Sequence, residues 1–127
     1  MKYLITGASG FIGTHVLYAL LKSANKNNLV DVISIDKKSS KYDGLTEVDG
    51  GYAPIKDGRW WNVLFASTEY NSSPEIVTDI SDSLSSSEIL TALKDVDTVF
   101  HLAASPSVPE SIENPLSFNK DNVHGTL

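Results

Sequence analysis

Thr6-Gly7-Ala8-Ser9-Gly10-Phe11-Ile12-Gly13 is the stretch that decides the fold. Before it stands Tyr3-Leu4-Ile5, a short continuous apolar run typical of a parallel strand covered on both faces. After it, apolar residues recur at Phe11, Ile12, Val16, Leu17, Leu20 and Leu21, which predicts a helix with one buried stripe. Asn25 to Asn28 end that helix with poor helix formers. Val30-Asp31-Val32-Ile33-Ser34-Ile35 restores strand character and stops at Asp36. Strand, glycine turn, helix and strand make a βαβ unit, whose crossover is right-handed in nearly all cases.

Each glycine of the turn has a physical task. One permits the tight turn, one lets the backbone approach a pyrophosphate without a Cβ in the way, and one allows close helix–strand packing. The unpaired N–H groups and the positive end of the helix dipole favour a bound diphosphate. A glycine pattern alone is weak evidence; a strand–turn–helix setting followed by an acid after the next strand makes it specific. That acid is Asp36. Its carboxylate can accept hydrogen bonds from an adenosine ribose and repels a 2′-phosphate, which favours NAD over NADP, although Lys37 and Lys38 place cations beside it. Two other phosphate and acyl chemistries drop out. No Ser in the loop has the Gly-x-Ser-x-Gly spacing of a nucleophile elbow, and no Gly-Lys-Ser/Thr follows the glycines as in a P-loop.

Outward from this unit, residues 37–74 lose the pattern. They hold Pro54 and several glycines, yet also Tyr42, Tyr52, Trp60, Trp61, Phe65 and Tyr70. So long a structureless loop is unusual in a compact domain, so at least one extra strand or short helix is expected, with Trp60 to Phe65 the leading ordered piece. An aromatic-packed surface excursion is favoured over a flap beside the nucleotide or a partner surface. Regular structure resumes with a third strand at Glu75-Ile76-Val77-Thr78-Asp79. A helix over Glu88 to Lys94 follows, with Ser86 or Ser87 as its N-cap. Asp97 to Ala103 reads as a fourth strand. After a Pro-punctuated turn, Asn114-Pro115 reads as N-cap and first residue of a last helix that runs to Leu127.

The 127 residues carry 16 acidic and 10 basic side chains, a net charge of −6, with no local Lys/Arg cluster. Nucleic acid and anionic membranes are therefore disfavoured partners. With no Cys there is no disulfide, thiolate metal site or Cys nucleophile, and His15, His101 and His124 leave little basis for a metal centre. Met1 to Leu21 mimics a signal peptide, but Thr6, Gly7, Ser9, Gly10, Gly13, Thr14 and His15 interrupt its apolar run. No stretch reaches the roughly 18 apolar residues of a membrane span. A cytoplasmic location is expected.

The glycine loop, Asp79-Ile80, and the run His101-Leu102-Ala103-Ala104-Ser105-Pro106-Ser107-Val108-Pro109-Glu110-Ser111 together resemble the extended short-chain dehydrogenase/reductase superfamily. More narrowly, the chain resembles the N-terminal part of an NAD-dependent nucleotide-sugar epimerase/dehydratase. Ser111-Ile112-Glu113-Asn114-Pro115 and Asn122-Val123-His124-Gly125-Thr126-Leu127 continue the similarity. It covers residues 1–36 and 75–127. The resemblance implies an α/β fold of Rossmann type, a parallel sheet in the order 3-2-1-4 with flanking helices, truncated after the fourth strand and the helix that follows. Residues 1–127 then form a single NAD(P)-binding half-domain with an irregular aromatic-rich insertion at 37–74.

Roles follow residue by residue from that resemblance. Gly7, Gly10, Phe11, Ile12 and Gly13 hold the pyrophosphate, Asp36 and Lys37 meet the adenosine ribose, and Asp79 and the Ile80 backbone read the adenine edge. Leu102, Ala103 and Ala104 line the nicotinamide side. Asn122 is either near the active site or a helix-interior polar residue. Ser107, Val108 and Ser111 fall where such enzymes begin to meet the sugar nucleotide. His101 reads as a packed strand residue, His15 and His124 as helix-surface residues.

The family's hydride chemistry uses a Tyr with a Lys four residues later, the cation bringing a phenol of pKa near 10 into range. That helix follows a fifth strand, which this chain does not reach, so no catalytic residue and no metal ligand is assigned. Tyr18–Lys22 lies on a helix leading away from the site, and Tyr52–Lys56 encloses Pro54, which breaks helical spacing. The fourth strand becomes an edge that invites self-association or a second polypeptide. Three readings stay open: the NAD-binding part of a nucleotide-sugar epimerase/dehydratase, probed by continuation of the reading frame into Tyr-x-x-x-Lys; a non-catalytic dinucleotide-binding or assembly module; and an ADP-ribose or mononucleotide binder.

Overall fold

The computed structural model describes residues 1–37, 47–48, 51–52, 71–72, 74–82 and 86–127. Its centre is the parallel pair β1 (Lys2–Thr6) and β2 (Val30–Asp36), joined by α1 (Phe11–Lys22). β7 (Thr98–His101) lies parallel to β1 on the other side, with Leu4 opposite Ile33 on one flank and Val99 on the other. The outer flank of β2 carries two short parallel segments, β5 (Asn71–Ser72) against Val30–Asp31 and β6 (Glu75–Val77) against Ser34–Asp36. Numbered as the four predicted strands, the sheet runs 3-2-1-4, the expected order.

Alternation along the strands separates two cores. Ile5, Val30 and Val32 pack with Ala8, Leu17 and Leu21 on the α1 side, flanked by Tyr3 and Phe100 with ring centroids 6.2 Å apart. Leu4, Ile33 and Ile35 face the opposite side, where Ala92, Ile89 and Ile76 cover them. Ala92 and Ile89 belong to α2 (Ser86–Leu93). The register of β7 is pinned at its start. Lys2 N–H donates to the Asp97 carboxylate at 2.7 Å, while Asp97 N–H returns a bond to the Lys2 carbonyl at 2.8 Å.

Several boundaries differ from those predicted. The third strand ends at Val77 rather than Asp79, because Thr78 N–H makes the last bond to Asp36 and the Asp79 carboxylate then folds onto Ser81. The fourth strand ends at His101, where Leu102 N–H turns to Thr6. Ser86 and Ser87 are not caps; both lie inside the first turn of α2. The Pro-punctuated turn contains a helix, α3 (Val108–Glu113), since Pro109 sits at its N-terminus, where a missing N–H costs nothing. Asn114 does precede α4 (Pro115–Asn119), but that helix widens into a π turn (Lys120–His124) and stops at Gly125 instead of running to Leu127. Gly125 lies against the Asp121 carbonyl and the Ile80 side chain.

Phe11 and Ile12 do not join the buried stripe of α1; they are 63% and 62% exposed. At about 100° per residue, Gly13, Leu17, Leu20 and Leu21 gather on the inward side, whereas Phe11 and Ile12 each fall more than about 120° from its centre. His101 is also more exposed than expected, yet both ring nitrogens are engaged, Nδ1 with Thr6 Oγ1 at 2.7 Å and Nε2 with Thr126 Oγ1 at 2.9 Å. His15 and His124 are exposed on their helices, as predicted.

Within 37–74, the expectation of extra structure is met by β5 and by an antiparallel pair, β3 (Glu47–Val48) with β4 (Gly51–Tyr52). The predicted ordered piece Trp60 to Phe65 lies outside the described residues, as do Lys38, Tyr42, Lys56 and Tyr70. In the described sheet β7 is an end strand, and Val99 on it is 46% exposed.

The glycine turn yields a test. A Cβ on Gly13 would stand 2.1 Å from the Gly7 carbonyl oxygen, whereas one on Gly10 meets only that oxygen, at 3.3 Å. Thermal or urea unfolding should show Gly13→Ala losing about 2 kcal/mol or more, as overpacked sites do. Gly10→Ala, at the N-cap of α1, should lose less than about 1 kcal/mol. Equal losses would contradict this division of labour.

Candidate functional site

The C-terminal ends of β1, β2, β6 and β7 open onto one cleft of about 290 Å³. This is where parallel α/β sheets bind ligands, at the point where strand order reverses about β1. Its floor is the glycine turn. Gly7 has φ +73°, a conformation that favours glycine. Gly7 also has the end of β7 pressed against it, so that a Cβ would lie 2.7 Å from Ala103 N. Gly10 is the position left open, at the N-cap of α1 with no side-chain cap. Gly13 packs the helix onto the turn. The turn and packing tasks thus fall to Gly7 and Gly13, and Gly10 leaves the cleft floor open.

Beside the turn, Asp36 Oδ2 accepts Ser9 N–H at 3.0 Å, so the acid that ends β2 also fixes the loop. Asp36, Lys37, Thr78, Asp79 and Ile80 form one wall. Leu102, Ala103, Ala104 and Ser105 form the other, together with Asp121 from the π turn. The short side chains of Ala103 and Ala104 keep that wall low. Thr6 supports it from beneath, taking Leu102 N–H and Ala103 N–H on its Oγ1 at 3.2 and 3.3 Å.

An ion network spans the mouth. Lys37 Nζ donates to Asp121 Oδ1 at 2.8 Å and stands 3.4 Å from Asp79 Oδ2, with Lys120 Nζ 3.9 Å from the same Asp79 oxygen. The other oxygens are occupied as well. Ser105 Oγ donates to Asp121 Oδ2 at 2.7 Å, and Ser81 gives its N–H and Oγ–H to Asp79 Oδ1 at 2.9 and 2.6 Å. The hydrogen bond to Asp121 raises the Lys37 ammonium above its ordinary range despite partial desolvation. Lys37 and then Ser105 hold the Asp121 carboxyl below its ordinary range. For Asp79, burial pushes upward, but the Ser81 bonds and the Lys37 charge outweigh it and lower the carboxyl.

Of the residues singled out in the sequence, Gly7, Gly10, Asp36, Lys37, Asp79, Ile80, Leu102, Ala103 and Ala104 line the cleft. Phe11, Ile12 and Gly13 stand behind it in the first turn of α1. Asn122 does not line it. Its amide clamps Ser105, accepting the N–H at 2.8 Å and donating to the carbonyl at 3.0 Å, which positions the cleft wall. Val108 and Ser111 lie on α3 and Ser107 just before it, its carbonyl accepting Ser111 N–H at 3.0 Å while Ser111 Oγ donates to the Val108 carbonyl at 2.7 Å. Tyr18 and Lys22 pair on the outside of α1, Nζ 3.4 Å from the phenol oxygen and away from the cleft. Ser9, Thr78, Ser105 and Asp121 were not singled out. Thr78 and Ser105 adjoin predicted positions, but nothing in the sequence couples Asp121 to Lys37, 84 positions away.

Residues 3–127 match the family described as "NAD dependent epimerase/dehydratase family". The chain belongs to that family. It is 31% identical over its whole length to a UDP-glucose 4-epimerase of Lactobacillus helveticus, of which it covers 30%. It is 32% identical over 99% of its length to a dTDP-glucose 4,6-dehydratase of Salmonella typhimurium, of which it covers 29%. Among solved structures it superposes on a Bacillus cereus UDP-glucuronic acid 4-epimerase in complex with UDP-glucuronic acid and NAD, with TM-score 0.63 and 34% identity. That match covers 99% of this chain and 34% of the other. A UDP-N-acetylglucosamine 4-epimerase from Methanobrevibacter ruminantium matches with TM-score 0.64 and 29% identity, covering 98% and 31%. The chain thus spans about 30% of the curated relatives it matches.

The network makes stability depend on pH in a defined way. Asp79 and Asp121 titrate below the ordinary 3.8, so their contribution is present above the carboxylate range and is lost as pH falls through the lowered values. Lys37 titrates above 10.5, so its part is full below that and lost as pH rises through the raised value. In urea titrations the stability difference between wild type and Asp121→Asn should be flat near neutrality and shrink at both extremes. A difference independent of pH would show that the network adds nothing to stability.

Proposed function

We propose that this chain is the dinucleotide-binding part of a nucleotide-sugar epimerase or dehydratase, with NAD as its cofactor. The observation that carries the reading is the open position at Gly10. The cleft floor there has no side chain, lies at the positive end of a 12-residue helix, and adjoins the Asp36 carboxylate. Such a cradle fits a diphosphate bridging two nucleosides, and a Cβ would fill it. Gly10 and the first-turn N–H groups of Phe11 and Ile12 would hold the diphosphate, with Gly7 and Gly13 shaping the turn. Asp36, with Lys37 beside it, would meet the adenosine ribose, and Asp79 and the Ile80 backbone would read the adenine edge. Leu102, Ala103 and Ala104 would admit the nicotinamide end, with Asn122 fixing that wall through Ser105.

NAD supplies the hydride acceptor and donor by which a sugar carbon is oxidised and then reduced. This chain's residues bind and orient it; Ser107, Val108 and Ser111 would meet the sugar nucleotide. The acid–base pair of the reaction is assigned to none of the described residues. The exposed side of β7 is where further protein would pair, from a second copy or another polypeptide. A cytoplasmic setting suits this chemistry, and among the described residues no helix is long and apolar enough to cross a membrane.

Calorimetric titration tests the cofactor assignment. Wild-type protein should bind NAD at one site, and Gly10→Ala should weaken binding about tenfold or more, the scale of one lost charge-assisted contact, while unfolding little. Asp36→Ala should weaken NAD to a similar degree. Absence of NAD binding in folded wild-type protein would sink the proposal. ADP-ribose bound as tightly as NAD would favour a binder of the adenosine half alone.

A further inference from the structure

The sequence leaves an ambiguity that the structure addresses. Asp36 argues against a 2′-phosphate, yet Lys37 and Lys38 beside it are cations of the kind that receive one, Lys38 lying outside the described residues. In the structure the Lys37 ammonium is already engaged. It donates to Asp121 Oδ1 at 2.8 Å and lies 3.4 Å from Asp79. Asp121 is in turn held in place by Ser105 Oγ on its other oxygen at 2.7 Å and retains 18% side-chain exposure. It therefore acts as a fixed acceptor and not as a wandering surface carboxylate. Among the described residues at the mouth, the carboxylates of Asp36, Asp79 and Asp121 outnumber the ammonium groups of Lys37 and Lys120.

We infer that Asp121 determines cofactor specificity, holding Lys37 out of reach of a ribose 2′-phosphate so that the cleft discriminates against NADP. Asp121 acts as a positioning residue, through Lys37. Removing its charge does two things at once. It takes away the closer of the two carboxylates on Lys37, and it removes one of the negative charges that repel a phosphate bearing nearly two charges. Asp79 cannot fully replace it, because Asp79 is already shared with Lys120 and Ser81. The inference rests on the NAD reading above.

The test is the ratio of NADP to NAD affinity, measured by calorimetry in wild type, Asp121→Asn and the double variant Lys37→Gln/Asp121→Asn. Asp121→Asn should raise the ratio about tenfold or more, as expected for one new charge-assisted hydrogen bond. Lys37→Gln in that background should return it toward the wild-type value. A ratio unchanged in folded Asp121→Asn overturns the inference. A gain that survives loss of Lys37 overturns it too, because another cation is then responsible.

Wild type alone provides a second readout should the variants fail to fold. Raising salt from about 0.05 to 0.5 M should raise the NADP/NAD ratio, since it screens a repulsion. A ratio that falls with salt means Lys37 is available to the phosphate, and the inference fails. Wild-type protein that binds neither cofactor refutes the NAD reading itself, whereas NAD binding with an unmoved ratio refutes only the role of Asp121.

Discussion

Everything in this cleft depends on three stretches of backbone meeting at Gly7 with no side chain between them. Gly7 N–H donates to the Ile35 carbonyl at 2.9 Å, which ties the turn to the end of β2, and the Gly7 carbonyl accepts Gly10 N–H at 3.1 Å, which closes it. The end of β7 touches Gly7 from one side and Gly13 of α1 from the other. Any Cβ at Gly7 or Gly13 would separate these elements, and the positive φ at Gly7 adds a conformational reason for glycine there. The close approach places the start of α1 at the strand ends, with Gly10 at its N-cap lining the cleft.

Long-range polar contacts then define the walls. Thr6 receives the backbone of Leu102 and Ala103, and Asn122 holds that of Ser105 in both directions. The Lys37–Asp121 bond crosses from the strand that begins the site to the last helix. These links make the C-terminal segment part of the cleft, even though α3, α4 and the π turn bury no residue fully.

Much of the fold was legible because its signals are local. The β1–turn–α1–β2 unit follows from apolar runs, helical spacing and glycine positions, and the order of the four main strands follows from the family resemblance. Boundaries were less legible because competing hydrogen bonds decide them. Asp79 ends a strand by bonding Ser81, and Thr6 ends another by capturing Leu102. Phe11 and Ile12 read as part of the recurring apolar stripe of α1 but are turned outward by the helical phase of Gly13 and Leu17. Of the candidate cofactor residues, those next to strand ends line the cleft, whereas Asn122 acts one step removed.

The sequence by itself determined that this is a parallel α/β unit with a glycine turn before its first helix and an acid after the second strand, because turn geometry, helix periodicity and strand alternation are short-range properties. Only the tertiary structure decided what Lys37 does. Its charge is legible in the chain, but the carboxylate that engages it lies 84 positions away on a π turn, which Asp121 and Asn122 tie to Ser105 beyond the end of β7. A lysine's chemistry depends on its nearest partner, and that partner is chosen by the fold.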